Sequence, residues 1–229
     1  MRQIFQSLPW IHASEPDFLV KLYEELGVVR HVKKGEVLKS GGQTPRLFYL
    51  KKGLCAYLIA EQAKGRPSVL SLIVPGRTMG DLTCLTEDKV NVFSVAWQKS
   101  DVLEVDVAQL YTRIESTPGL MRQLALHLVR KQESHLEGMV ANFTLSADKR
   151  LKVFLRVLIE SYGLELKLHD NVVPLLLTNE QIGLVTNLTR VSVSRIFSQW
   201  QEAGLLRKNG KTLLVEKALF DEVYDWLNR

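Results

Sequence analysis

At 229 residues the chain is long for one small domain and comfortable for two. It is 46% hydrophobic, enough for ordinary globular cores, yet no run of about 18 apolar residues exists to span a bilayer, and the N-terminus Met-Arg-Gln-Ile-Phe-Gln-Ser-Leu-Pro lacks the apolar core of a secretion signal, so no membrane partner and a cytoplasmic location are expected. The formal charge of +5 is mild and names no partner by itself; what matters is where it lies.

Ser14-Glu15-Pro16-Asp17 reads as a helix start, and Phe18, Leu19, Leu22 and Leu26 then share one face until Gly27 ends it. From Val28 to about Val105 the pattern changes to short runs between glycines. Lys34-Gly35-Glu36-Val37-Leu38 precedes Gly41-Gly42. Leu47-Phe48-Tyr49-Leu50 leads to Lys52-Gly53, and Cys55–Ala60 leads to Gly65. Val69–Val74 ends at Pro75-Gly76, and Gly80-Asp81-Leu82, Val92–Trp97 and Asp101–Val105 follow. Short β-rich runs with regular turn signals predict a sandwich or barrel, with Tyr49 and Trp97 in the core. Helices of the length a parallel βαβ sheet needs are absent.

Pro118 opens a long segment that runs to about Thr144. Leu126, Val129, Leu136, Val140 and Phe143 recur at alternating steps of three and four, interrupted by Glu133, which makes a seam for another helix. At about 26 residues, or roughly 39 Å, this helix exceeds what a small β-domain covers, so the seam is expected to pair across a dimer. Near Leu145-Ser146-Ala147-Asp148 a new helix starts, and Leu151, Phe154, Leu155 and Leu158 line its face up to Tyr162-Gly163. Leu164–Leu168 and Val172–Leu176, around His169-Asp170-Asn171, read as a hairpin.

Residues 177 to 206 read as two short helices joined by a tight turn. Thr178 followed by Gln181 is a capping box for the first. Ile182 and Val185 face inward, and Gly183 permits close approach. Thr189 caps the second helix, whose inward stripe is Val193, Ile196 and Trp200. Arg190, Val191, Ser194, Arg195 and Ser198 fall on or beside its free face. An arginine fork matches guanine O6 and N7, so Arg195, one turn into the helix, is the expected base reader. Arg190 reaches a base edge or a phosphate, and Val191 offers only apolar contact, for instance to a thymine methyl. Thr178, Thr189 and Ser192 are expected to donate to phosphates beside helix N-termini.

After Gly204, Asn209-Gly210 between two apolar runs signals a hairpin whose tip carries Lys208 and Lys211. Between Thr186 and Lys211 five basic residues, Arg190, Arg195, Arg207, Lys208 and Lys211, stand against the single acid Glu202. Such a patch is an electrostatic footprint for phosphate. Helix, helix and basic wing in this order predict a winged helix that binds double-stranded DNA.

Three features now stand in sequence: the glycine-punctuated β-rich half, the long helix after Pro118, and Thr189-Arg190-Val191-Ser192-Val193-Ser194-Arg195. In this order, and over nearly all its length, the chain resembles the cyclic-AMP receptor protein and fumarate–nitrate regulator (Crp/Fnr) family of bacterial transcription factors. The resemblance implies an α+β fold: an N-terminal antiparallel β-roll like a cyclic-nucleotide-binding jelly roll (1–117), a long dimerisation helix (118–145) and a C-terminal winged helix-turn-helix (146–229). It also implies a homodimer in which a small-molecule effector, bound between β-roll and dimer helix, reorients the DNA-binding domains. Such a dimer recruits RNA polymerase at a palindromic site, with two recognition helices roughly 34 Å apart. Gly80, Asp81, Leu82 and Asn91 stand at the places of the family's effector turn and clamp, while Gln132 and His135 fall where its dimer helix contacts the effector.

The departures narrow the expectation. The cyclic-nucleotide branch carries Gly-Glu-Leu and then an Arg-Ser pair that clamps the phosphate. Here Gly80-Asp81-Leu82 stands in the first place, and Asn91-Val92 or Phe93-Ser94 in the second, with no arginine. A phosphate would lose its charge-assisted contact, so a cyclic nucleotide is not the expected effector. Of two cysteines, Cys55 and Cys84, neither belongs to an N-terminal cluster, so no iron–sulfur cluster is expected; Thr86 stands where the haem-binding branch has histidine, so no haem is expected. Many members carry glutamate at position 191, where valine implies a different half-site. Val191-Ser192-Val193-Ser194-Arg195 resembles the branch that senses halogenated aromatic acids.

An enzyme is not expected. His12, His31, His127, His135 and His169 are scattered without a His-x-His pair, so no metal site is expected, and no nucleophile elbow or phosphate-binding loop occurs. Two other readings stay open: a ligand-sensing module acting by protein contact, and a constitutive DNA binder without effector.

Overall fold

Alternating apolar residues between glycines fold the first half of the chain into two antiparallel four-stranded sheets. The computed structural model describes residues 4, 5, 7–38, 46–59, 68–81, 92–174, 177–210, 212–221 and 223. These form two compact units. One runs from His12 to Glu133; the other joins residues up to Ile11 with those from Ser134 onward.

In the first unit, helix α1 (Asp17–Leu26) precedes eight strands: β1 (Val28–Val32), β2 (Val37–Leu38), β3 (Arg46–Lys52), β4 (Cys55–Ile59), β5 (Ser68–Ile73), β6 (Arg77–Met79), β7 (Val92–Ala96) and β8 (Ser100–Asp106). The sheet orders are β1-β8-β3-β6 and β2-β7-β4-β5. Leu47-Phe48-Tyr49-Leu50 is continuously apolar because β3 is buried on both faces. Leu47 and Tyr49 pack with Leu19, Tyr23, Leu103 and Val105; Phe48 and Leu50 pack with Val32, Ile73, Met79 and Val102. Each such side chain, fully buried, contributes about 1.5–3 kcal/mol. Tyr49 is a core residue as expected, whereas Trp97 is only half-buried. Helix α2 (Val107–Glu115) follows, capped by the Asp106 carboxylate, which accepts from the Ala108 and Gln109 amides.

The start of α1 differs from the sequence reading. The helix begins at Asp17 with Pro16 at the N-cap and no side-chain cap. Glu15 points into the fold, where its carboxylate accepts from the Thr78 amide at 3.0 Å.

Helix α3 spans Leu120–Thr144. In the second unit, α4 (Ala147–Ser161) starts behind Ser146, whose hydroxyl accepts from the Lys149 amide. The helix-turn-helix pair is α5 (Asn179–Thr186) and α6 (Arg190–Glu202), followed by β10 (Leu206–Asn209), β11 (Thr212–Val215) and a 3-10 turn at Lys217–Phe220. The core joins Leu151, Phe154, Leu155 and Leu158 of α4 to Ile182, Val185, Val193, Ile196 and Trp200.

The hairpin read at 164–176 does not form. Leu164–Leu168 is not a strand, and Leu175 and Leu176 lie outside the described residues. Strand β9 (Asn171–Val173) pairs instead with β11, making the wing three-stranded. Asn171 explains the difference. Its side chain accepts from the Lys167 amide (2.6 Å) and donates to the Lys167 and Val215 carbonyls (2.8 and 3.0 Å). One buried amide thus closes the loop that a ladder would have closed and fastens it to the wing.

Candidate nucleic-acid interface and sensor site

The reading helix is set by its two ends and its buried side. At the start of α5, Thr178 Oγ1 accepts from the Gln181 amide (3.1 Å) and the Thr178 amide donates to Gln181 Oε1 (3.0 Å), the reciprocal box expected from Thr-x-x-Gln. The helix stops at Asn187, whose backbone is left-handed, with φ of 52°. Close to that turn, a Cβ on Gly183 would lie 2.5 Å from the Leu188 carbonyl oxygen, so the approach needs glycine. Thr189 then caps α6 by accepting from the Ser192 amide at 3.0 Å. Val193, Ile196, Phe197 and Trp200 are buried, and the Trp200 indole donates to Asp148 Oδ1 at 2.8 Å, tying α6 to α4. Phe197 was not in the expected stripe; it stacks on Trp200 with ring centroids 5.5 Å apart.

What remains outward is Arg190, Val191, Ser194, Arg195 and Ser198, all exposed, Val191 to 75%. Thr178 and Thr189 are exposed beside them, and Ser192 is half-buried with its hydroxyl on Thr189. Among the described residues neither Arg190 nor Arg195 forms an ion pair, so both forks are available to an acceptor. In the wing, pairing closes at Asn209↔Thr212, so Gly210, with φ of 57°, opens the loop. Lys208 is exposed, and Lys211 lies outside the described residues. Arg207 has a different fate from the other members of the basic patch. It pairs with Asp170 and approaches Glu216 at 3.7 Å, so its charge is largely compensated within the protein.

Residues 150–219 match the model of the Crp-like helix-turn-helix domain. The chain is 22% identical over 190 residues to the cAMP-activated global transcriptional regulator CRP of Escherichia coli O6:H1, covering 81% of this chain and 88% of that one. It is 25% identical over 187 residues to the transcriptional activator protein FnrA of Stutzerimonas stutzeri, covering 81% and 75%. Its fold is similar to that of FixK2 from Bradyrhizobium japonicum, with a TM-score of 0.71 at 18% identity over 83% of this chain and 92% of that one. Residues 150–219 are thus similar to a Crp-like helix-turn-helix domain, and over most of its length the chain is similar to Crp and Fnr transcriptional regulators.

In the first unit, Asp81 follows Gly80 into a buried charge cluster. Lys131 Nζ lies 2.7 Å from Asp81 Oδ2 and 2.5 Å from Glu15 Oε1, and His127 Nε2 lies 2.8 Å from Glu15 Oε2. Glu15, His127 and Lys131 are buried. Burial is the largest influence and pushes both carboxyls up, but Lys131 and His127 together hold Glu15 below the usual carboxylate range, and Lys131, His12 and a backbone amide together do the same for Asp81. Burial likewise pulls Lys131 down, and Asp81 and Glu15 together hold it above its usual value. The cavity beside the cluster, lined in part by Leu19, Tyr23, Leu110 and Leu128, is about 10 Å³, close to the room for one water.

Sequence reasoning missed Glu15, His127 and Lys131. The signal was present: His127 and Lys131 stand one turn apart on the side of α3 opposite the apolar seam. Gln132 is half-buried next to Lys131, and His135 is buried one turn on. Leu82 and Asn91, the other expected effector contacts, lie outside the described residues, as does Cys84. Cys55 is buried, and burial pushes its thiol up to about 12, which leaves it protonated and inert.

On α3 the seam residues are bare. Leu126 is 50% exposed, Val129 55%, Leu136 45% and Phe143 80%, and Val140 is half-buried. Met121 and Met139 extend the exposed apolar surface. Among the described residues no helix is long and apolar enough to cross a membrane.

Proposed function

We propose that the protein is an effector-responsive homodimeric transcription factor that binds a palindromic DNA site and regulates transcription by RNA polymerase. The observation that carries this reading is the exposed, outward face of α6, with Arg190, Val191, Ser194 and Arg195 on a helix whose caps and buried stripe fix its orientation. Arg195 reads a guanine; Arg190 reads a base edge or a phosphate; Val191 contacts a thymine methyl. Thr178, Thr189, Ser192, Lys208 and Lys211 hold phosphates. The exposed apolar stripe of α3 supports pairing with the same stripe of a second copy, which spaces the two reading helices by about one DNA turn, roughly 34 Å.

The effector is a small molecule other than a cyclic nucleotide. Two observations support this: no arginine stands at either candidate clamp position, Asn91-Val92 or Phe93-Ser94, and the Asp81 carboxylate is already engaged by Lys131. That engagement also favours a second reading, a constitutive binder whose sensor turn is closed by its own lysine. Selection of bound DNA from a random pool, with and without a small-molecule extract of the source cells, tests both. A two-fold symmetric motif enriched only with extract is expected for the gated regulator. Equal enrichment points to the constitutive binder, and no motif in either overturns the assignment.

A further inference from the structure

The chain before α1 runs along the side of α3 that the seam leaves free. The Phe5 amide donates to the Glu137 carboxylate, and the Ser134 hydroxyl is shared between the Leu8 and Ile11 carbonyls. Trp10 covers Gly138: a Cβ there would lie 2.9 Å from Trp10 Cδ1 and 3.1 Å from the Trp10 amide nitrogen. Positions 134, 137, 138 and 141 share one helical face, and Ala141 is fully buried. Trp10 is itself buried and meets Phe154 of α4 edge-on, centroids 5.9 Å apart at 77°.

Two details show that this contact is specified and not incidental. A glycine inside a helix weakens it, and a tryptophan at φ of 59° is in a left-handed backbone that its side chain disfavours. Each is unfavourable alone, and they meet at one contact. Five residues along the same chain, Glu15 is the carboxylate shared by His127 and Lys131.

We propose that residues 7–15 are a transmission strap. It is anchored at one end in the charge cluster by Glu15 and at the other on α3 and α4 by Trp10, so that a change at Lys131 and Asp81 alters how firmly α4, the first helix of the DNA-binding unit, is held. Trp10 is a positioning residue and touches no ligand. The inference rests on the regulator reading above for its biological use, though not for its mechanics.

The test uses the full-length protein in four forms: native, Trp10→Ala, Glu15→Gln and the double variant. Affinity is measured for the selected DNA site, and hydrogen exchange at amides 145–150 is measured without DNA. Each single change is expected to shift affinity by about threefold to thirtyfold, with the double falling short of the product of the two. Glu15→Gln is expected to speed exchange at the Leu145 and Arg150 amides, which a merely local role would not do. Trp10→Phe is expected to restore much of both. If Trp10→Ala fails to fold, Gly138→Ala displaces the indole while favouring the helix. Multiplicative effects on affinity, or junction exchange unaltered by Glu15→Gln, overturn the strap. A native protein that binds no DNA overturns the regulator reading instead, and the exchange data still decide the strap.

Discussion

Arg150, in the first turn of α4, donates from Nη1 to the Thr186 carbonyl at 2.9 Å. Thr186 is the last residue of α5, so a cation from a neighbouring helix satisfies an end that would otherwise leave its carbonyls bare. The same nitrogen reaches the Asn187 carbonyl at 3.3 Å, across the left-handed turn between the two helices. Arg150→Ala is expected to lower the stability of the DNA-binding unit by about 1–2 kcal/mol and to weaken DNA binding without changing the preferred site. Thermal unfolding and site selection on the variant check both parts.

Arg195→Ala removes a fork that forms no ion pair among the described residues. Its expected effect is a loss of about 1–3 kcal/mol of discrimination at one base pair in each half-site. Binding to random DNA should change far less, since phosphate contacts supply that part. Competition titrations with sites mutated one position at a time measure it, and full retention of discrimination sinks the assignment.

Gly183→Ala places a methyl 2.5 Å from the Leu188 carbonyl oxygen, a backbone atom that cannot swing aside. Although alanine favours helix, this substitution is expected to cost about 1–3 kcal/mol, as overpacking does. Denaturant unfolding of the variant, with DNA affinity falling in parallel, is the check.

The charge cluster predicts a broad plateau of stability with pH. Burial raises Glu15 and Asp81, but Lys131 with His127 at Glu15, and Lys131 with His12 at Asp81, hold both below their unfolded values, so their contribution is present above about pH 4 and is lost as pH falls through the lowered values. Lys131, drawn down by burial but raised overall by its two carboxylates, contributes below about pH 10.4 and loses that contribution as pH rises further. Lys131→Met leaves two buried carboxylates uncompensated and is expected to cost about 3–5 kcal/mol near neutrality. The deficit should shrink as pH falls toward about 4, because without Lys131 burial raises both carboxyls and they take up protons above that value. Unfolding curves across the pH range test the window and the sign together.

Leu136→Glu with Phe143→Glu puts charges on the bare stripe of α3 and should leave the fold of a single chain intact. Sedimentation is expected to show a dimer for the native protein and a monomer for the variant, with site affinity falling by orders of magnitude because two half-sites no longer act together. A variant that stays dimeric removes the seam from the proposal.

The parts of the molecule that sequence displayed best are those whose cause is local. Thr178 and Gln181 are three residues apart, and their box is set by that spacing alone. The apolar run Leu47–Leu50 marks a strand buried on both sides, and Asn209-Gly210 marks the wing. The parts it hid depend on distant partners. Glu15 looks like helix-start chemistry until Lys131, far along the chain, claims it. Arg207 looks like a phosphate contact until Asp170 neutralises it. Asn171 looks like a turn residue, yet it holds Val215 and cancels an apparent hairpin. Periodicity shows which side of α3 is apolar; it does not name the cations and carboxylates that meet on the other side.

The bare stripe of α3 also has a genetic consequence. In a dimer each chain contributes a single reading helix, and the seam does not inspect what its partner carries at position 195. If the seam pairs two copies as proposed, a chain with Leu126, Val129, Leu136 and Phe143 intact but Arg195 lost would still recruit native copies. In a cell making both, most dimers would then hold at least one defective half. Such an allele is expected to poison the native product and behave as dominant, whereas an allele that damages the seam is expected to be silent beside a good copy.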